Sequence, residues 1–253
     1  MCPSRSSLFL FLRAAAPPLL LLRFHPPVLR ACSPYQPHRP LTSARMGDSA
    51  SIKEAKGALR TTLRQKLAAL DDTHIAAASA AVAQKVFALP EYQRCTGVAC
   101  FVSMPKEFNT RPLLERIFAD GKACYLPRVE SVKDHTMSML QAFSLADVDA
   151  FPPGRWKIPE PPRDGPPRID ALEDASDVDL VIVPGLAFDA KNGRLGQGAG
   201  FYDRFLAKLI EAKRAAGKPL TLVGVTLDEL IIDDVPRDSF DLAMDVVVWP
   251  SKP

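Results

Sequence analysis

Short apolar runs, each bounded by polar or turn-forming residues, constrain the fold of this chain more than any other feature. Between them lie segments whose apolar residues recur every three or four positions, the period of an amphipathic helix. Strands that alternate with helices predict an α/β fold of three layers, a mainly parallel sheet flanked by helices, in a single domain. The predicted strands are residues 98–102, 123–126, 180–183, 220–225 and 246–248.

The helical segments carry start signals as well as periodicity. Apolar residues fall at steps of three or four from 53 to 70, and residues 71–73 offer caps for a second helix. Further helices are predicted near 111–119 and 202–216. Residues 152–168 contain seven prolines, a composition typical of a long ordered surface loop.

Residues 1–45 differ in composition from the rest of the chain. They hold six arginines and eight prolines, and the first acidic residue is Asp48. This composition is typical of an organelle transit peptide. The apolar stretch 8–22 is interrupted by Arg13 and is short for a membrane span. We therefore interpret 1–45 as a transit peptide, disordered or cleaved, and 46–253 as the folded domain.

The predicted destination of the transit peptide is the mitochondrion, with the plastid as the alternative. A secretory signal is the main rival, and the odd number of cysteines after residue 45 argues against it. Translation from Met46 would instead give a cytoplasmic protein.

Charge and cysteine content exclude several classes of partner. The whole chain carries +3, but without the six leader arginines 26 basic residues face 29 acidic ones, a net charge of −3. A nucleic-acid partner is not expected of such a domain, nor is a membrane partner. The three cysteines of the domain form no CxxC pair and indicate a reduced compartment. Any metal is expected to be a hard ion held by oxygen, and the protein to be a monomer.

The segment 179–206 is the sharpest local signal. A buried strand leads into a loop with glycines at 196, 198 and 200, and a helix begins near Tyr202. Glycines let the backbone approach an anion closely, and a helix start offers free N–H groups. The pattern is neither GxGxxG nor a P-loop. From local physics alone, a phosphate-binding loop and a tight structural turn both stay open.

Three acidic residues are candidates for a metal site. Asp203 lies in the first turn of the predicted helix, where the dipole favours a carboxylate even without a function. Beside a phosphate loop, a carboxylate is also where Mg²⁺ would be held. Asp241 and Asp245, near the last strand, are candidates for a second carboxylate, and their spacing does not separate them from surface acids.

Other candidate residues lie on the first helix and after strand ends. Lys56 and Arg60 occupy positions i and i+4, with Lys53 and Arg64 extending the stripe. Such a stripe is either a solvated face or a binding surface for a ligand with several negative charges. The segment 103–107 follows a strand end, the side of an α/β sheet where ligands bind.

Together these residues resemble the 5-formyltetrahydrofolate cyclo-ligase family, also called methenyltetrahydrofolate synthetases. The strongest match is 180–206, which contains Pro-Gly-x-x-Phe-Asp followed by Arg-Leu-Gly-x-Gly-x-Gly-Phe-Tyr-Asp. Five further segments match in the same order, so that the resemblance covers about residues 52–248. These segments are 56–60, 101–107, 125–128, 156–161 and 235–241.

The resemblance implies an enzyme that converts 5-formyltetrahydrofolate to 5,10-methenyltetrahydrofolate with ATP and Mg²⁺, releasing ADP and phosphate. It makes 46–253 the catalytic domain, with the folate, its polyglutamates and ATP as partners. The residues implied to bind ATP are Lys56, Arg60, Arg194, Leu195, Gly196, Gln197, Gly198, Ala199, Gly200, Phe201 and Tyr202. Asp203 and Asp241 would hold the metal. The residues implied to face the folate are Val102, Glu107, Trp156, Gln197, Gly198, Ala199, Gly200, Phe201.

Two departures and one alternative accompany the resemblance. Gln197 and Ala199 stand where some members of the family carry Arg and Lys, and Phe201 replaces a frequent Tyr. We expect unimpaired chemistry with weaker affinity for phosphate or polyglutamate. The alternative function is a non-catalytic homologue that binds folate or nucleotide. A dinucleotide-dependent oxidoreductase is disfavoured because GxGxxG is missing after the first strand.

Overall fold

A six-stranded sheet forms the centre of the computed structural model, which describes residues 49–173 and 176–252. The predicted transit peptide, residues 1–45, lies outside the described residues. The strands are β1 Gly97–Ala99, β2 Ala123–Ser131, β3 Thr136–Ala142, β4 Val178–Val183, β5 Ala187–Asp189, β6 Arg194–Leu195, β7 Thr221–Val225, β8 Ile231–Ile232 and β9 Val246–Val248. The helices are α1 Ser49–Ala68, α2 Asp72–Ala88, α3 Pro90–Arg94, α4 Arg111–Ala119, α5 Leu145–Asp149 and α6 Phe201–Ala215.

The main sheet is mostly parallel. Its order is β3-β2-β1-β4-β7-β9, and every pair except β2–β3 is parallel. The chain moves from β1 to β2 in one direction across the sheet, and from β4 to β7 in the other. The strand order therefore reverses between β1 and β4, which creates a crevice at their carboxyl ends.

Helices cover both faces of the sheet. Because side chains alternate along a strand, Leu180 and Ile182 of β4 pack into the core shared with α1, α2 and α4. Val181 and Val183 face the opposite core, which contains the apolar side of α6. The predicted arrangement of three layers in a single domain is confirmed.

The predicted cap of the second helix is confirmed, whereas α1 begins at Ser49, four residues before the predicted start. The side chain of Asp71 caps α2 by accepting a hydrogen bond from the N–H of Thr73 at 3.0 Å. The apolar stripe of α1 places Leu63 and Leu67 in the core. Among the described residues, none of the helices combines the length and apolarity that a membrane crossing requires.

A second, three-stranded sheet of order β6-β5-β8 was not predicted. Its strands β5 and β6 lie between β4 and α6 in the chain, and β8 follows β7. The strand β6 leads into the glycine-rich loop. The proline-rich segment 152–168 is mostly irregular, as predicted, and contains a 3₁₀ turn at Arg155–Lys157.

Candidate active site

A cleft of about 490 Å³ opens at the carboxyl ends of β1 and β4. The segment after β1 contributes Val102 to its wall, and the segment after β4 contributes Pro184 and Gly185. This is the crevice at which an open α/β sheet binds its ligands. Most predicted site residues line it, namely Val102, Glu107, Trp156, Arg194, Gly196, Gln197, Ala199, Gly200, Phe201, Tyr202 and Asp203.

The glycine-rich loop ends at the first residue of α6. Gly198 and Gly200 have φ angles of 108° and 71°, in the left-handed region that favours glycine. Gly200 is the N-cap of α6, and among the residues that the structure describes no side chain caps the helix there. The first N–H groups of α6 are therefore available to an anion at the cleft.

Arg194 anchors the start of this loop. Its side chain is 4% exposed and donates hydrogen bonds to the carbonyl oxygen of Pro184 at 3.2 Å and to Oδ1 of Asp203. Arg194 therefore connects the end of β4 with the first turn of α6. The pairing also fixes the carboxylate of Asp203 at the cleft wall.

Asp189 organises the approach to the loop, a role that the sequence analysis missed. Its buried carboxylate accepts hydrogen bonds from the N–H groups of Lys191, Gly193 and Val235 at 2.7–2.9 Å. A Cβ on Gly193 would lie 2.5 Å from Oδ2 of Asp189, so only glycine fits there. This carboxylate joins the segment before β6 to the segment that leads to Asp241. The sequence signal for Asp189 was its place as the last residue of the Pro-Gly-x-x-Phe-Asp segment.

Three residues of the basic stripe of α1, at positions 56, 60 and 64, contact this site, whereas Lys53 is exposed. The Nζ of Lys56 lies 2.9 Å from Oδ2 of Asp238 and also contacts Asp241, and the residue is 8% exposed. The Nε of Arg60 donates to the carbonyl oxygen of Gly196 at 2.9 Å. Arg64, one turn further along, contacts Gln197, so three turns of one helix meet two separate segments of the site.

The two predicted metal carboxylates both act on the charge of Arg60. Burial lowers the pKa of Arg60, and the neighbouring charge of Arg64 lowers it further. The carboxylates of Asp241 and Asp203 raise the pKa of Arg60. Both carboxylates therefore lie within electrostatic reach of one guanidinium group.

Asp203 and Asp241 fit the donor set of a Mg²⁺ site that phosphate completes. Within residues 49–173 and 176–252, no three His, Cys, Asp or Glu residues converge on one point. Magnesium bound with a nucleotide needs only one or two carboxylates. Asp245, the other candidate, accepts a hydrogen bond from the N–H of Leu222 at 2.7 Å, which is a structural role at the sheet.

Glu107 is another carboxylate that lines the cleft. It accepts hydrogen bonds from the N–H of Met104 at 3.2 Å and from Nε2 of Gln197 at 3.3 Å. Burial raises the pKa of Glu107, and these two hydrogen bonds oppose that shift. A carboxylate in this setting suits a ligand that offers N–H donors.

Two aromatic rings line the same cleft as Glu107. The ring of Trp156 is 5.8 Å from that of Phe201, at an interplanar angle of 79°. Trp156 is 55% exposed and has a φ of 55°, a left-handed conformation that is uncommon for a bulky residue. The proline-rich loop therefore holds an exposed indole at the mouth of the cleft.

Comparison with known proteins identifies the family. The model of the 5-formyltetrahydrofolate cyclo-ligase family matches residues 52–250. The chain belongs to this family. It is thus an enzyme of the ligase class, and the resemblance stated from its motifs is confirmed.

Curated relatives carry the same family name. The 5-formyltetrahydrofolate cyclo-ligase of Mus musculus is 32% identical over 203 residues, which cover 80% of this chain and 97% of the mouse protein. A probable cyclo-ligase of Schizosaccharomyces pombe is 34% identical, covering 78% of this chain and 96% of that protein. A relative named as mitochondrial, from Arabidopsis thaliana, is 31% identical, covering 83% and 79%.

Solved structures share the fold. The NMR structure of 5,10-methenyltetrahydrofolate synthetase from Aquifex aeolicus matches with a TM-score of 0.63 and 29% identity, covering 78% of this chain and 90% of that one. A synthetase from Mycoplasma pneumoniae, at 19% identity, matches in fold with a TM-score of 0.57, covering 78% and 99%.

Proposed function

We propose that the protein converts 5-formyltetrahydrofolate to 5,10-methenyltetrahydrofolate, consuming ATP in the presence of Mg²⁺ and releasing ADP and phosphate. The observation that carries this proposal is the composition of the cleft. The start of α6, uncapped in the described part of the chain, lies beside cations of α1, and the same cleft is lined by the half-buried carboxylate of Glu107 and the rings of Trp156 and Phe201. A phosphate chain and a flat heterocycle would meet between them.

The chemistry requires activation of the formyl group. A formamide oxygen is a poor leaving group, so the γ-phosphoryl group of ATP is transferred to it and ADP leaves. N10 of the folate then attacks the activated carbon and forms the new C–N bond. This attack closes the ring, N10 gives up its proton, and cleavage of the C–O bond then releases phosphate and leaves the C=N⁺ double bond of the methenyl product. Phosphoryl transfer depends on positioning and charge neutralisation rather than on a protein nucleophile.

The nucleotide phosphates would lie at the start of α6. Lys56 and Arg60 supply positive charge there, and the N–H groups after Gly200 supply hydrogen bonds. Asp203 and Asp241 would hold the Mg²⁺, which when bound neutralises the charge of the phosphate oxygens. The backbone from Arg194 to Tyr202 would surround the nucleotide.

The folate would occupy the side of the cleft that contains Glu107. The pterin ring carries N–H donors that match a carboxylate acceptor, and its flat face matches Trp156 and Phe201. Val102 would contact the same ligand from the end of β1. Gln197, Gly198, Ala199 and Gly200, shared by both ligands, would bring the formyl oxygen next to the γ-phosphate.

The decisive assay uses the purified protein with 5-formyltetrahydrofolate. The near-ultraviolet absorbance of the methenyl product should increase only when ATP and Mg²⁺ are both present. Omission of either one is the control. Folate binding is followed in parallel by fluorescence of Trp156, with Trp249 replaced by Phe. Binding without turnover would favour the non-catalytic alternative, and absence of both would contradict the proposal.

We also propose that residues 1–45 direct the protein to mitochondria. The arginine-rich, acid-free composition supports this, as does the name of the Arabidopsis relative. A fusion of residues 1–45 to a fluorescent protein should co-localise with a mitochondrial dye. Plastid fluorescence would identify the alternative destination. Translation from Met46 would give a cytoplasmic form, which a start-codon change at Met46 should abolish.

A further inference from the structure

Gln197 connects a cation on α1 to the half-buried carboxylate of Glu107 in the cleft. The Nη2 of Arg64 lies 3.0 Å from Oε1 of Gln197 and 3.1 Å from its main-chain oxygen. On its other side, Nε2 of Gln197 lies 3.3 Å from Oε1 of Glu107. Three segments that are far apart in the sequence therefore meet in one chain of hydrogen bonds.

The chemistry of these groups determines the orientation of the Gln197 amide. An arginine side chain can only donate hydrogen bonds, and an ionised carboxylate can only accept them. The amide must therefore point its oxygen to Arg64 and its NH₂ group to Glu107. The reversed amide would place an oxygen against the carboxylate and an NH₂ group against the guanidinium.

Glu107 depends on the amide of Gln197 because, in the described part of the chain, no positively charged side chain donates a hydrogen bond to it. Lys106, adjacent in the chain, is directed away, to the carbonyl oxygen of Leu70 at 2.8 Å and to Asp72. The buried hydroxyl of Tyr202 finds no hydrogen-bond partner among the described residues, and Glu107 acts on it electrostatically. Apart from the N–H of Met104, the amide of Gln197 is the hydrogen-bond donor that Glu107 has in the described part of the chain.

Arg64 differs from Lys56 and Arg194 in its partners. Lys56 forms ion pairs with two carboxylates, and Arg194 with Asp203. Within the described residues, both hydrogen-bond partners of Arg64 are oxygens of Gln197. The side chain of Arg64 lines the cleft, and its hydrogen bonds direct its charge to the Gln197 amide.

We propose that Arg64 is a positioning residue that orients the Gln197 amide so that Glu107 is held, ionised, for the ligand of the cleft. The identity of that ligand as a reduced folate rests on the proposed function, but the hydrogen-bond chain does not. Burial alone would favour the protonated form of Glu107, and Arg64 opposes this through Gln197.

The first test follows the ionisation of Glu107 without any ligand. The ¹³C carboxyl signal of Glu107 is titrated by NMR in the full chain and assigned by its loss in Glu107→Gln. In Arg64→Ala the titration should move to higher pH, because the charged form loses its oriented donor. Arg64→Lys, which keeps a donor, should recover most of the shift. Lys53→Ala, which removes an exposed cation from the same helix, should change nothing.

An unchanged titration in Arg64→Ala would overturn the proposal, whatever the activity of the protein. The second test measures equilibrium binding of 5-formyltetrahydrofolate without ATP. Arg64→Ala should weaken binding about tenfold, the loss typical of one hydrogen bond to a charged group. Because Arg64 acts through Gln197, the double variant with Gln197→Ala should bind as the Gln197→Ala single variant does.

Additive losses in the two single variants would show that Arg64 contacts the ligand itself, and would overturn the positioning role. Failure of the wild-type protein to bind 5-formyltetrahydrofolate would contradict the proposed function instead. The NMR titration would then still decide whether Arg64 controls Glu107.

Discussion

Lys56 on α1 and Asp241 before β9 are 185 residues apart and form an ion pair with an N–O distance of 2.5 Å. The side chain of Lys56 is only 10% exposed, so each charge compensates the other in a partly desolvated place. Asp238 completes the arrangement at 2.9 Å from the same ammonium group. The first helix and the segment before the last strand therefore form one side of the proposed nucleotide site.

Lys56→Gln should raise the KM for ATP by about tenfold or more. The substitution removes a charge-assisted hydrogen bond, which contributes about 1.5–3 kcal/mol. It also leaves Asp238 and Asp241 without their cation. The measurement is initial rate against ATP concentration at saturating 5-formyltetrahydrofolate. Lys53→Gln, three residues earlier on the same helix, is the matched control. An unchanged KM in Lys56→Gln would remove this residue from the nucleotide site.

Asp203→Ala should abolish turnover and leave the fold intact, because Asp203 is proposed to hold Mg²⁺. The buried Arg194 loses its partner in this variant, so some loss of stability is expected. Asp203→Asn keeps an acceptor for Arg194 and should also be inactive. Turnover, circular dichroism and thermal unfolding are compared with those of Glu211→Ala, an exposed position on the same helix. Wild-type rates in both Asp203 variants would exclude a metal-binding role.

The elements that the sequence predicts best are those determined by apolar periodicity. The helix α4 and the strand β9 have the predicted bounds, since their apolar residues alone specify one buried face. The edge strand β3 was missed because it mixes polar and apolar residues and pairs only with β2 in the sheet. The strands β5, β6 and β8 are two or three residues long, so tertiary contacts rather than propensity define them.

In the candidate active site, the sequence predicts which types of residue are present, but not which of them contact each other. The cationic stripe of α1 is visible as i, i+4 spacing, but its contacts with Gly196 and Gln197 span more than 130 residues. Spacing does not distinguish Asp241 from Asp245 either. In the structure, Asp241 contacts Lys56, and Asp245 accepts a hydrogen bond from the N–H of Leu222. Such pairings depend on the register of distant segments, which local patterns do not encode.

Adding the missing cations to the loop should lower the KM for ATP. Gln197→Arg with Ala199→Lys places two positive charges beside the proposed phosphate position, and both residues line the cleft. The decrease in KM for ATP should be smaller at high salt, because salt screens the interaction between exposed charges. Ala207→Arg with Ala212→Lys adds the same charge on the exposed face of α6. Unchanged constants in the loop variant would show that the loop does not contact the phosphates.

Replacement by alanine should destabilise the protein at Gly224 and stabilise it at Gly57. Gly224 lies in β7 against the fully buried ring of Phe188, and a Cβ there would lie 2.4 Å from Cε1 of that ring. Gly57 lies in α1 with no atom within 4 Å of a Cβ. Gly224→Ala should cost about 1–3 kcal/mol of unfolding free energy through overpacking. Gly57→Ala should stabilise the protein by about 0.5–1 kcal/mol through helix propensity.

Thermal unfolding followed by circular dichroism measures both changes. For a chain of this size, 1 kcal/mol corresponds to a shift in Tm of about 2–4 °C, so the two variants should separate clearly. Because Phe188 is rigidly enclosed between Gly185 and Gly224, the ring has no room to move away from an added methyl group. A rise in Tm for Gly224→Ala would mean that this ring is less tightly packed than its contacts indicate.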